Sequence, residues 1–181
     1  MKPFTTLSQE LLADYRIFRL RKDRCLSPRT NAEHDFYVLE ADSWVNVVAL
    51  TPDQHIVLID QYRFGVEKIT LEMPGGIIEP GEAPIVAAAR ELTEETGYVA
   101  DSLSVLGFVE PNPAILNNRC YTVLAQGCKK IADQTLDEKE DIAVRCVPVD
   151  ALPSLFSSGK ITHALVWAAY LHYDLWRKNG R

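Results

Sequence analysis

The chain is 181 residues long, 47% hydrophobic and 24% charged, with 19 Lys and Arg against 25 Asp and Glu for a net charge of −6. That length suits one main core, the composition excludes a disordered polymer, and no apolar run reaches the ~18–20 residues of a membrane span. A net acidic chain is a poor general nucleic-acid binder, since that affinity comes largely from neutralising phosphates.

The opening Met-Lys-Pro-Phe-Thr-Thr has no apolar stretch of signal-peptide length, so a cytoplasmic protein is expected. Residues 1–30 carry seven basic and three acidic side chains, so the acid excess lies entirely beyond them. Strands are predicted at 15–20, 36–40, 44–50 and 55–63, and the turn signal Thr51-Pro52-Asp53-Gln54 joins the last two. Another follows at 69–72. A helix is predicted over 84–96, with Pro in its first turn and Gly97 just past its end. Strands at 103–109, 119–125 and 142–147 come next, then a short helix at 151–157. An amphipathic helix over 161–176 places Leu165, Ala168, Ala169, His172 and Trp176 at helical spacing. Many strands with few helices predict an α/β or α+β layer fold, a mixed sheet covered by helices. Cys25, Cys120, Cys128 and Cys146 form no C-x-x-C pair and are expected as buried reduced thiols. His34, His55, His163 and His172 have no zinc-type spacing and are expected to be structural.

The chemistry concentrates in the first long helix. At about 100° per residue, Glu94 and Glu95 lie about 60° and 40° to either side of Glu91, so the three carboxylates leave one helix face. Like charges at this spacing destabilise a helix by roughly 0.2–0.5 kcal/mol per pair, and the macrodipole disfavours anions towards the C-terminal end. A bound hard cation reverses the sign of both effects, because Mg²⁺ takes oxygen ligands. Arg90 is placed to hold a neighbouring carboxylate, and Gly75-Gly76 allows a backbone turn to approach closely.

The segment Gly76 to Tyr98 reads G-x5-E-x7-R-E-L-x-E-E-x-G-Y and resembles the Nudix box of the Nudix hydrolases. All seven fixed residues match: Gly76, Glu82, Arg90, Glu91, Glu94, Glu95 and Gly97. Chance agreement anywhere in the chain is on the order of 10⁻⁷ at ordinary residue frequencies. The resemblance implies an α/β fold with a mixed sheet sandwiched between helices, preceded by N-terminal antiparallel strands. It also implies hydrolysis of a nucleoside diphosphate linked to another moiety, with Mg²⁺ (or Mn²⁺ in its place) as cofactor. By matching position, Glu91 and Glu95 would be the principal metal ligands, Glu94 a further one, and the Gly75-Gly76 region, through Gly76, would lend a carbonyl. Arg90 and Glu94 would also belong to the catalytic apparatus, with Glu82 in support.

Residues Gln61-Tyr62-Arg63 and Leu71-Glu72-Met73-Pro74-Gly75-Gly76 resemble the ADP-ribose and nucleotide-sugar pyrophosphatase branch, in which an Arg at the position of Arg63 contacts substrate phosphates. The stretch Asp137-Glu138-Lys139-Glu140-Asp141-Ile142 resembles that branch's catalytic loop, where a Glu activates water; Glu138 is placed before Glu140. At 110–119 the chain departs from the Ser-Pro-Gly-type loop of many ADP-ribose pyrophosphatases and offers Asn117 and Arg119 as further substrate contacts. That departure leaves GDP-mannose or another nucleotide hexose open beside ADP-ribose. Cleavage of (d)NTPs, or nucleotide binding without hydrolysis, are the remaining alternatives. The chain divides into an N-terminal strand region, 1–43, and a hydrolase domain, 44–181. In this branch the first strands commonly exchange across a homodimer, so Arg16, Arg19 or Arg21 would reach a partner's site. The expected partners are a small nucleotide-sugar substrate and a second copy of the chain, without nucleic acid or membrane.

Overall fold

The computed structural model describes residues 1–180, which form two compact units. The first comprises Met1–Asp42 with Glu110–Arg119. Its three strands, β1 (Thr5–Asp14), β2 (Arg19–Leu26) and β3 (Glu33–Glu40), make an antiparallel sheet in sequence order. The strand expected at 15–20 is corrected here: Tyr15–Phe18 is the β1–β2 turn, with Arg16 at φ 66 and its N–H donating to Asp14 Oδ1 at 3.0 Å. Most of the basic side chains of this region meet acids of the same sheet. Arg21 bonds Asp23 and Glu40, Lys22 bonds Glu10 at 2.5 Å, and Arg24 bonds Glu33 at 2.6 Å. Residues 110–119 join this unit through Leu39 N–H donating to Ile115 O (2.7 Å) and Asn118 Nδ2 donating to Asp42 O (2.9 Å).

The second unit holds a six-stranded mixed sheet built from β4 (Trp44–Leu50), β5 (His55–Arg63), β6 (Lys68–Glu72), β8 (Ser102–Val109), β9 (Cys120–Gln126) and β11 (Ile142–Pro148). The order is β11-β5-β4-β9-β8, with β6 paired to β5; β4 and β9 run parallel and the other neighbours antiparallel. A two-stranded ribbon, β7 (Tyr98–Val99) with β10 (Lys129–Lys130), stands apart from this sheet. β4 is nearly continuous apolar sequence because both of its faces are covered. Val45, Val47 and Ala49 pack with Ala87, Ala88 and Leu92 of helix α1 (Pro84–Thr96). Val48 and Leu50 pack on the opposite side with Leu152 and Phe156 of α2 (Leu152–Ser157) and Val166, Ala169 and Tyr173 of α3 (Ala164–Lys178). The result is helix, sheet, helix: the α/β sandwich that the box resemblance implies.

Helix α1 occupies the predicted range, with Pro84 at its start and Gly97 closing it in the left-handed conformation, its N–H donating to Thr93 O at 2.8 Å. α3 begins later than expected, where His163 Nδ1 accepts from Leu165 N–H at 3.2 Å and caps the first turn. Cys25, Cys120 and Cys128 are buried free thiols; Cys146 is exposed, correcting that part of the expectation. It sits on β11, where its Sγ lies 3.1 Å from Tyr98 Oη. No helix among the described residues is long and apolar enough to cross a membrane.

Candidate active site

The box divides between a backbone turn and the inner helix. Its turn lies against β4: Val45 N–H donates to Gly76 O (2.9 Å), Val47 N–H to Pro74 O (2.8 Å) and Ile78 N–H to Ser43 O (2.8 Å). A Cβ at Gly75 would overlap the backbone carbonyl of Val45, so only glycine fits there, whereas one at Gly76 would meet the Glu91 carboxylate and displace it. Gly76 contributes chiefly by lacking a side chain. Its carbonyl is already bonded to Val45, with one lone pair left over.

On α1, Glu91 and Glu95 are buried while Glu94 is nearly half exposed. Glu95 Oε2 accepts from Gly75 N–H at 2.7 Å, which ties the helix to the turn. Arg90 serves as the hub. It donates to both oxygens of Glu82 (3.0 Å each), to Glu91 Oε1 (2.8 Å), to Glu94 Oε2 (3.2 Å) and to Ile77 O (3.0 Å). Arg90 holds Glu82 below the usual carboxylate range, and Glu82 in turn raises the guanidinium. Burial pushes Glu91 up despite its bond to Arg90. Glu95 is pushed up to about 8, mainly by burial, against the opposing effect of the Gly75 N–H.

Beside this network the β5–β6 hairpin presents Arg63. Its Nε and Nη2 donate to the two oxygens of Glu72, each at 2.8 Å, and Thr70 Oγ1 donates to Glu72 Oε1 at 2.5 Å. Glu72 is 2% exposed. Burial raises its carboxyl, but the bonds from Arg63 and Thr70 outweigh that and hold it below the usual range. Arg63 and Glu95 lie close enough to influence one another's ionisation. Sequence reasoning missed Glu72 as a member of the site. The only signal was its place opposite Ile59 in the hairpin register, which lets the Arg63 side chain run back along the sheet to meet it.

The charge of half-buried Glu140 also pushes the carboxyls of Glu91 and Glu95 up, opposing their ionisation, whereas Glu138 is exposed. Glu140 Oε2 accepts from Asp137 N–H at 3.0 Å within the loop. The structure thus brings Gly76, Arg63, Arg90, Glu91, Glu94, Glu95 and Glu140 into one neighbourhood. Arg16, Asn117 and Arg119 belong to the first unit, where Asn117 Oδ1 accepts from Ala41 N–H at 3.2 Å. There Arg16 and Asn117 line a polar cavity of about 340 Å³ with Asp14, Arg19, Glu40 and Asp42.

Among the described residues, no three His, Cys, Asp or Glu side chains converge as they stand on a point that could hold a metal, because Arg90 draws Glu91 and Glu94 to itself and Glu95 turns to Gly75. The donor chemistry nevertheless fits a hard divalent cation. The oxygens are all carboxylate, two of the groups are buried at a cost their surroundings do not fully offset, and one guanidinium is shared among three of them.

The NUDIX domain family matches residues 42–165. A Methanol dehydrogenase activator from Bacillus methanolicus is 32% identical over 75% of this chain and 73% of its own length. An ADP-ribose pyrophosphatase from Mycobacterium tuberculosis is 28% identical over 93% and 82%. The crystal structure of an ADP compounds hydrolase superposes with a TM-score of 0.86 at 25% identity, covering 99% of this chain and 97% of that one. The chain belongs to the Nudix family, in its ADP-ribose pyrophosphatase branch, and is a pyrophosphohydrolase. Nudix hydrolases generally use divalent metal ions.

Proposed function

We propose that the chain hydrolyses the pyrophosphate bond of an ADP-ribose-like nucleoside diphosphate sugar with Mg²⁺, releasing a nucleoside monophosphate and a sugar phosphate. The observation that carries this reading is the buried Glu91–Glu95 pair with Arg63, held by Glu72, in electrostatic range of it. Mg²⁺, or Mn²⁺ in its place, held by Glu91, Glu95 and Glu94, would neutralise phosphate charge and lower the pKa of a bound water. Arg63 spends its Nε and Nη2 edge on Glu72 and turns its Nη1 edge to a substrate phosphate, a charge-assisted bond with a fixed direction. Water adds to one phosphorus, the bridging P–O bond breaks, and the water's proton passes to a carboxylate of the 137–141 loop. Of the two candidates we assign that base to Glu140, because it is the half-buried one whose charge reaches Glu91 and Glu95. Arg90 balances the negative charge gathered on Glu82, Glu91 and Glu94. A homodimer formed through the first unit is part of this proposal and rests on the exposed apolar side chains of β1 and β3.

The test incubates the protein with Mg²⁺ and a panel of ADP-ribose, ADP-glucose, GDP-mannose, UDP-glucose and dNTPs, and identifies products by chromatography. AMP and ribose 5-phosphate from ADP-ribose are the expected outcome; pyrophosphate from a dNTP, with ADP-ribose intact, refutes the reading. Glu91→Gln should lose at least about 100-fold in turnover at saturating Mg²⁺. Near wild-type activity in that variant would remove Glu91 from the metal site.

A further inference from the structure

One side chain outside the box and the charged loop ties the two together. The C-terminal end of a helix leaves its last carbonyls without intrahelical partners. At the end of α1 the segment 131–135 meets them: Ile131 N–H donates to Gly97 O (2.9 Å), Thr135 N–H to Glu94 O (2.8 Å), and Gln134 Nε2 to Glu95 O (2.5 Å). The same Gln134 amide nitrogen donates to Ile142 O at 3.0 Å, at the first residue of β11. A side-chain amide has two N–H donors, and Gln134 uses one on each side of the loop 135–141. One anchor is the backbone of a buried box glutamate and the other is the point where the loop re-enters the sheet. The loop closes on itself only through Glu140 N–H to Asp137 O (2.9 Å) and Asp137 N–H to Glu140 Oε2, so its placement depends on its ends.

We propose that Gln134 is a positioning residue of this enzyme: by clasping Glu95 O and Ile142 O together, its amide sets where the 135–141 loop holds Glu140 against the Glu91–Glu95 pair. The proposal rests on the assignment of Glu140 as the proton acceptor. It gives the loop a fixed reference on the same helix that carries the box carboxylates, and it requires a side chain long enough to bridge two carbonyls with two donors. Gln meets that requirement; Asn is one methylene too short to reach both, and a Glu carboxylate has no donor for either carbonyl.

The experiment compares wild type, Gln134→Met, Glu140→Gln and the double variant in Mg²⁺-dependent hydrolysis of ADP-ribose, together with amide hydrogen exchange of the loop. Gln134→Met keeps length and volume but removes both donors. It is expected to lower kcat about 10- to 100-fold with KM within twofold, to accelerate exchange over 135–141, and to cost nothing further in the Glu140→Gln background. Equal losses of kcat in both backgrounds, or unchanged kcat in Gln134→Met, would overturn the proposal. If Gln134→Met does not fold, Gln134→Asn, which keeps one of the two bonds, is read by the same measures and should lose about three- to tenfold in kcat. Should the wild type leave ADP-ribose intact, the hydrolytic reading fails separately; loop exchange then decides the clasp, which is refuted if exchange is the same in wild type and variant.

Discussion

Gly75 and Gly76 are adjacent, yet a methyl group at each does different damage. At Gly75 the new Cβ meets the backbone carbonyl of Val45, which cannot move without opening the turn from β4. At Gly76 it meets the Glu91 carboxylate, the far end of a side chain that can swing aside. Gly75→Ala should therefore unfold the turn and lower Tm sharply, while Gly76→Ala should keep the fold and raise the Mg²⁺ concentration for half-maximal activity about tenfold or more. A Mg²⁺ titration beside a melting curve separates the two. Arg63→Met works through a different group. It strips buried Glu72 of its bidentate partner, so it should cost roughly 2–4 kcal/mol of stability, measurable by urea titration, besides weakening substrate binding. At this scale the sequence was legible where spacing along one helix sets the geometry. Glu91, Glu94, Glu95 and their hub Arg90 could be read because i, i+3 and i+4 are local distances. Glu72 and Gln134 could not: the partner of one is set by hairpin register, and the partners of the other lie on α1 and at the start of β11.

Among the elements, α3 is held to the sheet by a polar contact set within an apolar interface. His172 Nδ1 lies 2.8 Å from Thr122 Oγ1 on β9, and the ring rests on Gly107 of β8, where any Cβ would crowd it. Gly107 pairs with Thr122 just past the irregularity that shifts the β8–β9 register, so bulge, glycine and threonine together make the seat. Burial lowers the His172 pKa from its ordinary value. The folded state therefore binds this proton less readily than the unfolded chain does. His172 contributes nothing to pH dependence above about 7, and the stability it supplies is lost as pH falls from about 6.5 through its lowered folded value. Both proteins share the raised carboxyls of Glu91 and Glu95, so the test is the difference between them: over that window wild type should lose urea resistance relative to His172→Gln, and equal slopes would exclude His172 as a source. Element boundaries were legible in proportion to their punctuation. α1 carries Pro84 and Gly97 and was read to the residue, whereas β1 has the sequence Thr-Thr-Leu-Ser-Gln-Glu-Leu-Leu-Ala-Asp, with neither clean alternation nor a Val or Ile, and went unread. The aromatic and apolar residues Tyr15, Ile17 and Phe18 drew the strand expectation into what is a turn.

For the molecule as a whole, the self-association proposed above follows from how the first unit distributes its side chains. Register places Leu11 opposite Arg21 and Val38, and Phe36 opposite Asp23, which pairs with Gln9 on the other side. Strand alternation then puts Leu11 and Phe36 on one face and the Glu10–Lys22 and Arg24–Asp35 pairs on the other. The second face is a solvated, ion-paired surface and asks for no partner. The first leaves Leu11 58% and Phe36 44% exposed, and Leu7 and Leu12 of the same ten-residue edge strand are exposed as well. A long edge strand with open backbone groups and apolar side chains is a surface that proteins ordinarily cover. A second copy of the same strand covers it by an isologous contact, in which each Leu11 and Phe36 meets its counterpart's surroundings. The 181-residue chain should accordingly sediment at about twice its 20.3 kDa mass. Leu11→Glu with Phe36→Glu places two charges on the face and should return it to a single chain mass. Because both positions are exposed, the double variant should keep the circular dichroism of the wild type. A wild-type protein that sediments as one chain at all concentrations, or a double variant that stays paired, would place the contact elsewhere or remove it.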